Sequence, residues 1–371
     1  MREGPIRRIL IVKPSSLGDL VHTLPLANAI KDHWPEVEID WLVNRAFEPL
    51  LSGHPAIART FPFDRAGLRG PAGLWRGRRD LALLVRELRA RRYDLSLDLQ
   101  GLLRSGLFSF FSGARLRVGF ANAREGSPLF YDRRIAPPDR LVHAIHRNLA
   151  LVAAIGVPAP ARPEFRLPVL PAARQAVRAA LGSAVAPPST GRAGAPAPRG
   201  AKDAATSRRV VSVFPLGRWS SKFWPPGRCA ELLDGLALRP DLLPVLGGSG
   251  DERPYAREVA SLARSPFLDL VGKTDLPGLV ALVAESSVVV AQDSAALHLA
   301  SALGRPTVGL FGPSTPRYSG PFGVPNRIVR LGLSCSPCLE RRCPLGTTAC
   351  LAELPGERVL SGVLSLLEKI G

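Results

Sequence analysis

The sequence predicts an α/β protein made of two doubly wound parallel sheets. Three observations carry this. Short apolar runs that read as buried strands alternate with stretches of helical spacing. The alternation stops once, at a stretch rich in proline, alanine and glycine, and then resumes. The 371 residues suit two domains of roughly 100–200 residues each.

The elements follow in order. Arg8–Lys13 (RILIVK) is a buried strand, Leu20 to His33 has helical spacing, and Glu38–Val43 is the next strand. Leu83 to Arg91 reads as a helix, Asp94–Leu99 as a strand, and Leu102 to Phe111 and Leu141 to Ile155 as helices. Gly182 to Ser207 has almost no large apolar residue and reads as a linker or surface insertion. Beyond it, Val210–Phe214, Leu242–Leu246, Val288–Ala291 and Thr307–Phe311 are strands. Pro226–Ala237, Glu252–Ala263, Leu276–Ala284 and Ala295–Leu303 are helices. The last segment, Glu357 to Ile370, places Val359, Leu360, Val363, Leu364, Leu367 and Ile370 on one face of an amphipathic helix. Two such domains put the carboxyl ends of their strands across a cleft, where ligands of open sheets sit.

Composition excludes several classes. With 46% hydrophobic residues the chain is not intrinsically disordered. No apolar run approaches the roughly 18 residues of a membrane-spanning helix. The start, MREGPIRRILIVKP, lacks the apolar length and cleavage site of a secretory signal, which directs the chain to the cytoplasm. Five cysteines in this length do not form a disulfide scaffold. The net charge is +18, from 43 Arg and 6 Lys against 31 acids. The excess concentrates in the first half, where Arg65 to Arg92 holds nine arginines against Asp80 and Glu87. Such a surface attracts phosphates, acidic glycolipids, an anionic membrane or nucleic acid, and a solvated basic face is the plainer alternative.

Five motifs carry chemistry. Lys13-Pro-Ser-Ser-Leu-Gly-Asp19 joins a strand to a helix. Ser15, Ser16 and Gly18 allow a tight turn suited to an anion, and Arg124 adds a cation for an acidic acceptor. Asp19 reads either as a capping carboxylate of the first helical turn or as a general base, and the pattern leaves both open. Pro215 to Pro225 (PLGRWSSKFWP) sets Gly217, Ser220, Ser221 and Lys222 where they could hold a diphosphate, without P-loop spacing. Gly247-Gly-Ser-Gly-Asp-Glu252 places a carboxylate where nucleotide-binding sheets hold a ribose, or simply caps a glycine turn. Ala291-Gln-Asp293-Ser294-Ala295-Ala296-Leu297-His298 offers Ser294 and Ala295 amides to a diphosphate at a helix start, with His298 one turn later. Finally, Cys335, Cys338, Cys343 and Cys350 cluster with only one Cys-x2-Cys pair. They leave two readings: a structural zinc, or reduced or redox-linked thiols.

Taken together, these segments resemble family 9 of the glycosyltransferases, the heptosyltransferases of lipopolysaccharide core assembly. The resemblance spans nearly the whole chain. ILIVKPSSLGDLVHTLPL is similar to the family's opening motif. LDLQGLLRSGL, FANAREGSPLFYDRRI and Val142-His143-Ala144 are similar to the branch that adds the first heptose. WSSKFWP, the turn before Glu252 and QDSAALHLASALGRPTVGLFGPSTP are similar to the donor site.

The resemblance implies a GT-B fold, two Rossmann-like domains facing a cleft. Residues 1–181 would bind the acceptor, 182–207 would link, 208–354 would bind the donor, and the helix within 355–371 would pack back on the first domain. It implies inverting transfer of heptose from ADP-heptose, or another nucleotide sugar, to a lipid A–Kdo or related acidic glycolipid. Asp19 matches the catalytic base, Lys222 the phosphate lysine and Glu252 the ribose acid. Asp293, Ser294, Ala295 and His298 match the donor site, Ala295 standing where glycine is common. No metal cofactor is required, and the chain has no Asp-x-Asp motif. Peripheral contact with the cytoplasmic face of the inner membrane follows. The rival readings are a nucleotide-sugar 2-epimerase on the same fold, a non-catalytic sugar binder, and a basic protein that binds nucleic acid or a membrane surface. No nucleic-acid motif is present, so the first reading names no nucleic-acid partner.

Overall fold

The computed structural model describes residues 5–64, 70–139, 142–182 and 208–370. It divides into two compact units, Met1–Pro168 and Val169–Gly371.

The first unit contains a six-stranded sheet: β1 (Arg8–Val12), β2 (Glu38–Asn44), β3 (Arg59–Phe63), β4 (Leu95–Asp98), β5 (Leu116–Phe120) and β6 (Arg133–Ile135). The spatial order is β3-β2-β1-β4-β5-β6 and every pairing is parallel. Ile9, Leu10, Ile11 and Val12 are buried on both faces of β1, as the unbroken apolar run requires. One core joins Leu10, Leu42, Phe61, Leu88 and Phe108.

The second unit repeats the plan with β7 (Arg209–Phe214), β8 (Leu242–Leu246), β9 (Leu268–Asp269), β10 (Val288–Gln292), β11 (Thr307–Leu310) and β12 (Asn326–Val329). The order is β12-β11-β10-β7-β8-β9, again all parallel. In each sheet the direction of strand addition reverses once, between β1 and β4 and between β7 and β10. Ligands of open parallel sheets bind at the carboxyl ends of the strands beside such a reversal.

Several boundaries differ from the sequence-based expectation. The unit boundary lies at Pro168/Val169 rather than at 181. The Pro171–Leu181 helix packs on the Leu276–Glu285 helix and so belongs to the second unit. Glu285, 2% exposed, takes ion pairs from Arg174 and Arg178 of that helix. The C-terminal helix, Gly356–Ile370, was expected on the first domain. It lies on the Pro226–Ala237 helix and β12 of its own unit, where Val359, Val363, Leu366 and Leu367 enter the second core.

The Leu20–His33 helix is two helices, Leu17–Val21 and Leu24–His33. Pro25 has no N–H and its ring would strike the carbonyl of residue 21, so a continuous helix cannot form. The Leu83–Arg91 helix begins earlier, at Gly70. The linker reading of 182–207 falls almost wholly outside the described residues.

Candidate functional site

Each unit gathers the expected residues at the carboxyl ends of its central strands. In the first unit the turn after β1 carries Ser15, Ser16, Gly18 and Asp19. Asp19 sits half-buried in the first turn of the Leu17–Val21 helix. Its Oδ2 accepts from the Ser16 N–H and the Ser16 hydroxyl, both at 2.8 Å. The capping alternative for Asp19 is therefore realised. It does not remove the carboxylate from chemistry, because the two bonds from Ser16 give it a fixed direction. The Ser16 amide, however, is already committed to Asp19 and is not available to an anion.

The floor of this turn comes from β4. Asp98, 1% exposed, ends the strand. Its Oδ1 accepts the amides of Gln100 (2.9 Å) and Gly101 (3.0 Å), and its Oδ2 accepts the Tyr131 hydroxyl at 2.6 Å. Burial pushes the Asp98 carboxyl above its ordinary value, against those hydrogen bonds. The Tyr131 ring can reach Asp98 only because residue 119 is glycine: a Cβ there would stand 2.3 Å from the ring. Gln100 in turn accepts the Ser15 amide at 3.3 Å, and Lys13 Nζ donates to the Leu99 carbonyl at 3.0 Å. Arg124 is exposed and its backbone amide donates to Gly101 at 2.9 Å, so the turn after β5 is docked on the turn after β4.

Two histidines join this cluster that the sequence reading did not single out. His22 is buried, and its ring meets the His143 ring edge-on at 5.4 Å. His143 caps the Ala144–Ala153 helix by accepting the Ile145 amide. Asn148 holds the kink from the other side, donating to the His22 carbonyl and to Thr23 Oγ1. Both histidines lie inside segments that carry the family resemblance, and that was the available signal.

In the second unit the turn after β7 and the turn after β10 meet at the reversal. Lys222 closes a short 3-10 turn, Ser220–Lys222, and is 9% exposed. Its Nζ donates to Asp293 Oδ2 at 2.6 Å and to the Asp293 carbonyl at 3.2 Å. The stem folds over Gly217, where a Cβ would stand 2.7 Å from the Lys222 Cβ. The Trp219 ring covers the ammonium at 4.8 Å.

On its other oxygen Asp293 faces His298 Nε2 at 3.7 Å. Burial alone would raise the Asp293 carboxyl. The Lys222 and His298 charges outweigh it and hold the group below its ordinary value. Ser294 and Ala295 begin the Ala295–Ala302 helix, whose N-cap has no side-chain hydrogen bond. Its first amides are thus left for another acceptor. Glu252 ends the turn after β8 and accepts the Ser249 amide at 3.1 Å. Burial, helped by Asp251, pushes its carboxyl up.

Lys222, Asp293, Ser294, Ala295 and His298 therefore form one connected group. Glu252 stands two strands from Asp293 on the same carboxyl edge. Cys335, Cys338, Cys343 and Cys350 line one cavity. Among the described residues no three His, Cys, Asp or Glu side chains are grouped to hold a metal ion, so the structural-zinc reading gains no support.

Comparison with known proteins identifies the family and the fold. The model of glycosyltransferase family 9 (heptosyltransferase) matches residues 81–349. Lipopolysaccharide heptosyltransferase 1 of Pseudomonas aeruginosa is 30% identical over 342 residues, 91% of this chain and 87% of its own. A family 9 glycosyl transferase from Veillonella parvula superposes with a TM-score of 0.79 at 18% identity, covering 98% of this chain and 97% of its own. The Escherichia coli heptosyltransferase WaaC with ADP gives a TM-score of 0.73 at 23% identity, covering 98% and 100%. The GT-B fold expected from the sequence is the fold these structures share. With a family match over residues 81–349 and a relative 30% identical over 91% of its length, the chain belongs to glycosyltransferase family 9.

Proposed function

We propose that this glycosyltransferase moves heptose, with inversion, from ADP-heptose to a lipid A–Kdo inner core or a related acidic glycolipid. The observation that carries the reading is the Lys222–Asp293 pair beside the bare helix start at Ser294, all at the strand reversal of the second sheet. An ammonium has three donors, and Asp293 takes two of them here. The third meets a diphosphate oxygen together with the Ser294 and Ala295 amides.

As the sugar leaves, charge accumulates on that diphosphate, and the same ammonium and amides stabilise it. Glu252 takes the ribose hydroxyls. His298 keeps Asp293 oriented beside the donor sugar. Asp19 removes the proton from the acceptor hydroxyl, aimed by Ser16. Ser15, Gly18 and Arg124 line the acceptor side. Relatives named as lipopolysaccharide heptosyltransferases, and a WaaC structure holding ADP, support this choice over a 2-epimerase or a nucleic-acid binder.

The acceptor is a membrane lipid, so the enzyme works in the cytoplasm against the inner membrane. Among the described residues no helix is long and apolar enough to cross a membrane. The first unit does expose Leu103, Phe110, Phe111 and Leu129, with exposed Arg104, Arg133 and Arg134 on the same elements or the adjoining strand. The Gly70–Ala90 helix adds Trp75, Arg78 and Arg79, all exposed. Apolar rings among arginines suit the boundary of an anionic bilayer.

The deciding experiment is transfer from ADP-heptose to a panel of lipid A–Kdo acceptors and truncated cores. Transfer to a Kdo-bearing acceptor, absent with free sugars, is the expected result. A protein that neither binds ADP nor transfers heptose to any of them would overturn the reading.

A further inference from the structure

The cysteine cluster has no role in the reading above, yet its segment is fastened to the Ser220–Lys222 turn. Ser221, next to Lys222, donates its hydroxyl to the Glu340 carbonyl at 2.8 Å and its amide to the Arg341 carbonyl. The Arg341 guanidinium lies 5.5 Å from the Trp219 ring that also covers Lys222. Two more bonds tie the same segment to the turn after β11: Ser336 Oγ to the Gly312 carbonyl, and the Leu339 amide to the Pro313 carbonyl at 2.7 Å. Cys350 packs flush on that turn, where a Cβ on Gly312 would come within 2.7 Å of its sulfur.

All four cysteines and Ser221 line one cavity of about 180 Å³. The thiols within it are not alike. Cys343 is partly exposed and its Sγ accepts the Thr348 amide at 3.4 Å. Amide donors from Thr348, Leu345 and Thr347 pull the Cys343 thiol below its ordinary value. Burial and the neighbouring sulfurs push Cys350 the other way. A partly exposed cysteine that shares one cavity with three others is the arrangement that thiol–disulfide exchange requires.

We propose that Cys343 is a thiol-exchange site for low-molecular-weight disulfides, and that the disulfide it forms with a neighbouring cluster thiol loosens the grip on ADP. The Cys343 thiolate attacks one sulfur of the small disulfide. That S–S bond breaks and one small thiolate leaves and is protonated. A second cluster thiol then loses its proton and attacks the Cys343 sulfur, and the other small thiol departs. Two protein thiols have lost two electrons, one small disulfide has become two thiols, and two protons have passed from protein to small thiols. The new bond shortens the Cys343 segment. That strains the bonds from Glu340 and Arg341 to Ser221, and Lys222 shifts with them. The coupling to ADP rests on the donor reading above; the exchange chemistry does not.

The test uses the full-length reduced protein, treated with glutathione disulfide and then freed of it. Intact mass should fall by the two hydrogens of one disulfide, and peptide mapping should place Cys343 in it. ADP titrated by calorimetry should bind severalfold more weakly than to the reduced protein, and dithiothreitol should restore the affinity. Cys343→Ser should keep the ADP affinity of the reduced wild type and lose its sensitivity to glutathione disulfide. Oxidation without any change in ADP affinity would overturn the coupling. So would a Cys343 that exchanges no faster than a free model thiol, or purified protein holding a stoichiometric metal with its thiols unreactive. Failure of the reduced protein to bind ADP counts instead against the donor reading, because the mass readout is independent of it.

Discussion

Lys222 Nζ stands 2.6 Å from Asp293 Oδ2 across the strand reversal of the second sheet, both side chains about nine-tenths buried. Each group makes the other tolerable away from water. The pair holds the ammonium in one place at the carboxyl edge of the sheet. Lys222→Ala should raise the ADP dissociation constant about 10–100-fold, the worth of a hydrogen bond to a charged group. Calorimetric titration measures this directly, and an unchanged affinity would remove Lys222 from the donor site.

The same pair sets an acid limit. Asp293 has a lower pKa folded than unfolded, because Lys222 and His298 outweigh its burial. Its contribution to stability is therefore complete above the unfolded value near 4 and disappears as pH falls through the lower folded value. Asp293→Asn should be less stable than wild type at pH 6, by on the order of 1–3 kcal/mol. That gap should narrow below about pH 4. Urea midpoints at pH 6 and pH 3 give the comparison, and a gap that widened in acid would contradict the assignment.

Asp19→Asn should preserve the fold and ADP affinity while transfer falls about 10²–10⁴-fold. Asparagine can still accept from Ser16, so the helix start survives, but it cannot take a proton. Steady-state rates with a Kdo-bearing acceptor are the check. A variant that kept a tenth or more of the wild-type rate would not have lost the base.

The exposed ring cluster of the first unit should matter for vesicles and not for ADP. Replacing Phe110 and Phe111 by Ser, and Arg133 and Arg134 by Glu, should abolish co-sedimentation with vesicles containing phosphatidylglycerol. Each basic residue near such a surface contributes about 1 kcal/mol. Wild-type binding should weaken as salt rises. Equal sedimentation of the two proteins at low salt would show that the cluster does not touch lipid.

The central strands were legible in the sequence because each carries closely spaced apolar residues, an unbroken run in β1 and β10 and one interrupted by Asp40 in β2 and by Ser96 in β4. β1, β2, β4, β7, β8, β10 and β11 were all found this way. The edge strands were not. β3 carries Pro62, β6 is Arg133-Arg134-Ile135, β9 has two residues, and β12 starts Asn326-Arg327. An edge strand has one side open and needs no such run. β5 was missed for a different reason, the gap at Gly119 that Tyr131 fills. The Pro171–Leu181 helix buries only Val177 and Leu181, too few to show a periodic face. Of the candidate site, the positions of Lys222, Asp293 and Asp19 after strands were readable from the pattern, and the roles proposed for them came from the family resemblance. The Asp98–Tyr131 contact and the His22–His143 pair were not, because each joins residues that only the folded chain brings together.

The way Glu285 is held has a practical bearing on cutting the molecule in two. Each unit owns an open six-stranded sheet and its own core, so the second should be obtainable as a separate fragment. A designer guided by composition would begin that fragment after the low-complexity stretch, near residue 208. Such a fragment would leave behind Arg174 and Arg178 and the helix that covers Glu285, losing both ion pairs and uncovering the face of the Leu276–Glu285 helix. Starting at Val169 keeps the Pro171–Leu181 helix as a lid on its neighbour. Recombinant yield and melting temperature of the two fragments should differ accordingly, with the longer one the better crystallisation and ligand-screening reagent.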